Sequence, residues 1–268
     1  MSEMEIQILS DLHLEDPEEY DTFRIEAKAP YMALLGDIGN VCDRGFFDFI
    51  RKQLNIFQIV FLVFGNHEAH HSSWPKVKSQ TREFERHVNQ LYKSGMIFGN
   101  FVLLDENRYD LSSKVTILGC TLFTRVNNEE TTRIKHSLRD FYIIDRWSID
   151  LHKKTHNSNL EWLNHQVEQI SHNEPERIIA ILTHHCPSTQ KNVTDPSHAE
   201  STISAGYMSD LSHEPCWQNC SVRLWAFGHT HYNCDFRDMD TGKRIISNQR
   251  GYQFGKSKGF DRSKVIRF

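Results

Sequence analysis

Carboxylates, imidazoles and one amide recur in this 268-residue chain wherever an apolar run stops. Met4-Glu5-Ile6-Gln7-Ile8-Leu9 ends in Ser10-Asp11-Leu12-His13, and Tyr31-Met32-Ala33-Leu34-Leu35 in Gly36-Asp37-Ile38-Gly39-Asn40. Ile59-Val60-Phe61-Leu62-Val63-Phe64 ends in Gly65-Asn66-His67-Glu68, and Ile178-Ile179-Ala180-Ile181-Leu182-Thr183 in His184-His185-Cys186-Pro187. Val222-Arg223-Leu224-Trp225-Ala226-Phe227 closes the set with Gly228-His229-Thr230-His231. Side chains two apart on an extended backbone point the same way, so Asp11 with His13, and His229 with His231, are placed to share an ion. Oxygen and imidazole donors without thiolate suit Mn, Fe or Zn better than Ca or Mg. Seven such donors drawn from the five tails are too many for one ion of this kind. They suit two ions about 3.5–4 Å apart sharing a carboxylate, an arrangement that activates water and clamps an in-line displacement at phosphorus.

The runs that must position these groups are short, β-branched and aromatic, as in buried strands of a parallel sheet. Their polar tails then fall at the carboxyl ends of the strands, where open α/β sheets place ligands. Phe46, Phe49 and Ile50 follow helical spacing between the second and third runs. Phe84, Val88 and Leu91 predict another helix, with Gly95 as its stop. Residues 101–104 and 115–120 predict two further strands. Residues 124–157 are charged and irregular, and read as loops over a sheet edge. Ser158-x-x-Glu161 reads as a capping box opening a helix whose buried stripe is Leu160, Leu163, Val167 and Ile170. Residues 188–219 read as a long loop with a short helix; a loop of that length is usually functional. Residues 235–247, with a Thr241-Gly242 turn, predict a terminal hairpin. No repeat or linker interrupts the pattern, so one α/β domain over residues 1–268 is expected.

Composition bounds the alternatives. The chain is 38% hydrophobic and 25% charged, a soluble globular balance. No apolar run approaches the roughly 20 residues of a membrane span. The acidic start Met1-Ser2-Glu3-Met4-Glu5 leads directly into a strand and shows no leader, so a cytoplasmic protein without a membrane partner is expected. A net charge of −4 argues against a nucleic-acid partner held by bulk electrostatics. Six cysteines, Cys42, Cys120, Cys186, Cys216, Cys220 and Cys234, form no CxxC pair and read as reduced thiols. Histidine is the unusual count, at sixteen.

The order and spelling of the five motifs resemble the calcineurin-like metallophosphoesterase superfamily, over nearly the whole chain. Taken singly each motif is an ordinary polar strand end; five in order are specific. The resemblance implies a four-layer α/β/β/α sandwich and a dinuclear centre of Mn, Fe or Zn. It implies that Asp11, His13 and His231 bind one metal, that Asn66, His184 and His229 bind the other, and that Asp37 bridges them. A hydroxide shared by the metals would attack phosphorus, and His67 would touch the phosphate and protonate the leaving oxygen. An imidazole suits that task, with an unperturbed pKa near 6.5. Glu68 would orient an imidazole or the loop backbone.

Departures narrow the branch. Protein Ser/Thr phosphatases carry G-D-x-x-D-R-G, whereas Asp43-Arg44-Gly45 here lies three residues later. The metal-bound tyrosine of purple acid phosphatases is replaced by Asn40. His184-His185-Cys186-Pro187 resembles the His-His-Pro-Pro of class III cyclic-nucleotide-type phosphodiesterases, the branch this chain is most similar to. Residues 247–252, Ser-Asn-Gln-Arg-Gly-Tyr, resemble an Asn-Pro-Arg-Gly-Tyr tail of open role, with Gln249 in place of proline. A small phosphate ester, a diester or nucleotide in preference to a monoester, is the expected substrate. A phosphomonoesterase, including one acting on phosphoproteins, and a non-catalytic binding module are the alternatives. Candidate substrate contacts are His71, His185 and Arg250, with Arg125 an equal candidate for a second phosphate oxygen; His70 reads as a solvated loop residue. Trp74 and Trp147 read as core or loop anchors.

Overall fold

Strands buried on both faces must satisfy two partners, and alternation sorts their apolar residues accordingly. The computed structural model describes residues 4–198 and 200–268. Met1-Ser2-Glu3, and the expectation that no leader precedes the first strand, lie outside the described residues. The first sheet is built from β1 (Glu5–Leu9), β2 (Tyr31–Leu35), the helix α1 (Arg44–Gln53), β3 (Ile59–Val63), the helix α2 (Trp74–Lys93) and β4 (Asn100–Leu103). Its four strands are parallel neighbours, with Ile6 opposite Tyr31 and Tyr31 opposite Ile59. The chain then forms β5 (Asn107–Asp110), β6 (Val115–Cys120), α3 (Thr131–Ser137), α4 (Asp140–Ile143), α5 (Ile149–Asn173) and β7 (Ile178–Thr183). It ends with α6 (Pro215–Gln218), β8 (Val222–Phe227), β9 (Asp235–Arg237), β10 (Arg244–Ser247) and β11 (Val265–Arg267). The second sheet has the order β5-β6-β7-β8-β10-β9, while β11 returns antiparallel to β1 at the edge of the first.

Ile6, Ile8, Ala33, Leu35, Phe61 and Val63 point from the first sheet toward Ile117, Ala180, Leu182, Leu224 and Ala226 of the second. The alternate residues Met32, Leu34, Val60 and Leu62 pack against Phe46, Phe49 and Ile50 of α1 and Val77, Phe84 and Val88 of α2. On the far side, Leu118, Ile179, Ile181 and Trp225 meet Leu160, Leu163, Val167 and Ile170 of α5. The layers are therefore α/β/β/α, and each fully buried aliphatic or aromatic side chain contributes roughly 1.5–3 kcal/mol. Among the described residues no helix is long and apolar enough to cross a membrane.

Three local expectations are corrected. α5 begins at Ile149, not near residue 158: Ser148 is its cap, accepting from the Leu151 N–H, while Ser158 lies mid-helix. The first turns of this helix bury His152 and His156, four residues apart, which interrupt the apolar stripe. One nitrogen of each ring is paired: the Thr124 N–H lies 3.2 Å from His152 Nε2 and the Leu122 carbonyl 3.0 Å from His156 Nδ1, while His152 Nδ1 and His156 Nε2 are buried without a partner. Residues 124–157 thus carry α3, α4 and the start of α5 rather than loops. The β9–β10 hairpin forms as expected, but β10 also pairs in parallel with β8. β5 and β11 are short edge strands without an apolar run to announce them.

Candidate metal centre and substrate cavity

The five polar tails converge where the two sheets meet, and the backbone is bent sharply to bring them there. Asp11, His13, Asp37, His229 and His231 all adopt positive φ, between 46° and 69°. Such left-handed conformations cost about 1–3 kcal/mol each and persist only where surrounding contacts enforce them. The enforcing contacts are hydrogen bonds that continue the strand pairing past the strand ends. Asp11 N–H donates to the Gly36 carbonyl and His13 N–H to that of Asp37, both at 3.0 Å, and Gly228 N–H donates to the His184 carbonyl at 2.8 Å. Gly36 has φ +86°, and a Cβ there would stand 2.5 Å from both Gly65 N and His184 Nδ1. Buried Glu68 ties the same turn together, accepting from the backbone N–H groups of Gly65 (2.7 Å), Asp37 (3.0 Å) and Ile38 (2.8 Å). Burial and then the nearby Asp37 charge push its carboxyl up to about 8.

Two sets of donor atoms face each other across Asp37. His13 Nε2 lies 3.0 Å from His231 Nε2, which is 3.3 Å from Asp11 Oδ1. His184 Nε2 lies 3.1 Å from Asn66 Oδ1, 3.1 Å from His229 Nδ1 and 3.4 Å from Asp37 Oδ2. Asp37 Oδ2 is also 3.9 Å from His13 Nε2. Asp11, His13 and His231, and likewise Asp37, His184 and His229, each offer three ligand atoms within 4.8 Å of one another. The outward nitrogens are already used. His184 Nδ1 donates to the Leu35 carbonyl at 2.9 Å and His13 Nδ1 to Glu15 Oε1 at 3.2 Å, so each ring turns a lone pair inward. The Asn66 amide is fixed in the same way, since its Nδ2 donates to Asp140 Oδ1 at 2.9 Å and leaves Oδ1 toward His184. Carboxylate, amide and imidazole ligand atoms that converge at about 3 Å suit cations. The residues fit a metal pair.

His67 stands at the edge of this cluster. Its Nδ1 donates to Glu15 Oε1 at 2.7 Å, which turns Nε2 toward the cavity, 3.9 Å from Asp37 Oδ2. Burial disfavours its charge, but Asp37 and the Glu15 hydrogen bond outweigh that and hold its pKa up to about 9. Burial works against Glu15 as well, yet its bonds to His13 and His67 bring it down to about 2. A cavity of about 510 Å³ opens above. Asp37, Asn66, His67, His229 and His231 lie at one end, and Leu138, Arg139, Ile203, Tyr207, Met208 and Tyr252 line its walls.

The seven expected ligands and His67 are brought together; the expected substrate contacts are not. His71 is exposed and absent from the cavity wall. His185 is buried behind the cluster, 4.1 Å from the His229 ring, with Nδ1 on the Thr121 carbonyl. Arg250 is 4% exposed, bound to the Leu12 carbonyl and Glu19 and lying over the Phe23 ring. Arg125 pairs with Glu214 at 2.6 Å. His70, expected to be solvated, is instead buried and donates to Asp140 Oδ1 at 2.9 Å. Trp74 and Trp147 pack on Phe123 as anchors. Tyr252 entered sequence reasoning as the last residue of the 247–252 tail, without a role, and Glu15, Asp140, Arg139 and Tyr207 escaped it. Only Glu15 left a signal there, as the last member of the alternation Asp11-Leu12-His13-Leu14-Glu15.

Two mixed sheets closing over such a cluster house a candidate metal centre. A model of the calcineurin-like phosphoesterase family matches residues 4–233, and the chain belongs to that family. It is 30% identical over 230 residues to an uncharacterized protein of Acanthamoeba polyphaga mimivirus, covering 83% of this chain and 78% of that one. Its fold is similar to that of a phosphopantetheinyl hydrolase from Mycobacterium tuberculosis, with a TM-score of 0.63. The two are 14% identical, and the likeness, which is one of fold, covers 93% of this chain and 90% of the other.

Proposed function

We propose that this hydrolase is a phosphodiesterase acting on a small diester, nucleotides included, in the cytoplasm. In this reading Asp11, His13 and His231 would hold one ion of Mn, Fe or Zn, Asn66, His184 and His229 would hold a second, and Asp37, which lies between the two sets, would serve both. When bound, the ions supply Lewis acidity toward a nucleophilic water and toward the phosphoryl oxygens. His67, with Nδ1 fixed by Glu15, presents Nε2–H to the leaving oxygen. Asn66 is oriented by Asp140 so that its amide oxygen faces the second ion.

The shape of the cavity carries the preference for a diester. It extends past the ligand cluster to an apolar wall of Leu138, Ile203 and Met208, leaving room for a second substituent on phosphorus. Among the described residues Arg139 is the one lysine or arginine of that lining. Metal-reconstituted protein offered matched 4-nitrophenyl monoester and diester substrates, plus an alkyl diester, tests the reading. Turnover should favour the diester and disappear on chelation. His67→Ala should lose about 10²–10⁴-fold on the alkyl diester, and less on the nitrophenyl one, whose leaving group needs no proton. Faster monoester turnover, or turnover indifferent to chelator, would overturn it.

A further inference from the structure

The family match ends at residue 233, yet a segment beyond it binds both ligand-bearing turns. Asn248 Nδ2 donates to the Ile8 carbonyl at 2.6 Å, while Arg250 N–H and Gly251 N–H donate to the carbonyls of Ser10 and Asp11 at 3.0 Å. On the other side, Gln249 Oε1 accepts from the His231 N–H, and its Nε2 donates to Thr230 Oγ1 at 3.0 Å. The Gln249 backbone N–H donates to Asn233 Oδ1 at 2.6 Å, a bond that a proline at this position would forgo. Residues 248–251 therefore strap the turn after β1 to the turn after β8. Gly251, at φ +74°, then redirects the chain. The next residue, Tyr252, lies over the metal ligands, its ring 4.3 Å from that of His13 and 4.8 Å from that of His231. Its hydroxyl reaches 3.3 Å from His67 Nε2, and the side chain, 47% exposed, lines the cavity.

We propose that Tyr252 is a further catalytic residue, whose hydroxyl donates a hydrogen bond to a non-bridging oxygen of the substrate phosphoryl group beside the leaving oxygen. The inference rests on the phosphodiesterase reading above. Because Glu15 occupies His67 Nδ1, Nε2 is the nitrogen that meets substrate, and the phenol is its neighbour on the cavity side. A phosphoryl group whose leaving oxygen meets Nε2 brings a second oxygen to the phenol. The ring packs on ligand imidazoles and leaves the hydroxyl as the one polar group that Tyr252 turns toward the substrate.

Tyr252→Phe keeps the ring and removes only that donor. In the full-length, metal-loaded protein the variant should retain wild-type metal content by elemental analysis. Its kcat/KM on the diesters should fall about 10- to 100-fold, the range of a hydrogen bond to a charged group. The loss should be equal for nitrophenyl and alkyl leaving groups, unlike that of His67→Ala. Calorimetry with inorganic phosphate should show Kd weakened about tenfold in the variant. Unchanged kcat/KM and phosphate affinity would reduce Tyr252 to a cover over the ligands. Loss of metal from the variant would assign it a structural role and equally overturn the proposal. Wild-type protein that neither binds phosphate nor cleaves diesters would instead remove the phosphodiesterase reading itself.

Discussion

At the scale of single residues, the candidate site depends on groups that hold its ligands rather than on the ligands alone. Asp140 is the clearest. Its Oδ1 accepts from both Asn66 and His70, so one buried carboxylate sets the flip of a ligand amide and the position of the ring 4.0 Å from His67. Removing a partner of this kind typically costs 10- to 100-fold in metal affinity. Asp140→Ala is therefore expected to weaken the ion held by Asn66 by about that factor, while the ion held by Asp11 and His13 stays near wild-type strength. Competition titration with a chromophoric chelator resolves the two sites; equal weakening of both would contradict the assignment. Glu15 acts similarly toward His13 and His67, with one oxygen serving both rings.

At the scale of elements, the end of α3, the start of α4 and residues 194–208 form the side of the cavity away from most of the metal ligands. Leu138, Ile134 and Ile149 pack with Ile203 and Tyr207 in a small cluster of their own, separate from the three that join sheets and helices. Beside this cluster α5 buries His152, its ring 5.9 Å from that of Phe141. Burial, chiefly, depresses His152 to about 4, against about 6.5 for an exposed imidazole. Between those values the unfolded chain takes up a proton that the folded chain refuses, so stability falls as pH drops from about 6.5 to 4. Denaturation of wild type and His152→Gln across this range should show the wild type losing on the order of 3 kcal/mol relative to the variant as pH falls. Parallel pH curves would show that His152 does not titrate in this way.

At the scale of the whole molecule, each proposed ion joins the two sheets. Asp11 and His13 follow β1 of the first sheet and His231 follows β8 of the second, while Asn66 follows β3 and His184 and His229 follow β7 and β8. Metal binding to the folded chain then adds directly to stability, by about 4 kcal/mol at a thousandfold excess over Kd. For a chain of this size that corresponds to a Tm increase of roughly 10 °C on reloading chelated protein. Scanning calorimetry checks it, and a Tm indifferent to chelator and to added Mn or Zn would show that the cluster does not hold the sheets together through metal.

Much of this was legible in the sequence, because a strand end is a local event. An apolar run that stops at a carboxylate or an imidazole declares both the strand and the donor, and parallel pairing brings such ends to one edge. The five tails were found on that ground, and the family resemblance then picked out Asp11, His13, Asp37, Asn66, His67, His184, His229 and His231 within them. The start of α5 was lost because His152 and His156 stand where apolar residues mark a buried face. His71 and His185 were misplaced because proximity in sequence to a ligand does not say whether a side chain turns into the cavity or behind it, and Arg250 because its partner Glu19 is 231 residues away. What tertiary structure alone decided is the set of partners. Glu15 meets His67 from 52 residues away, Asp140 meets Asn66 from 74, and Tyr252 meets His67 from 185. No periodicity encodes contacts at such separations; they exist because two sheets, each locally determined, pack face to face.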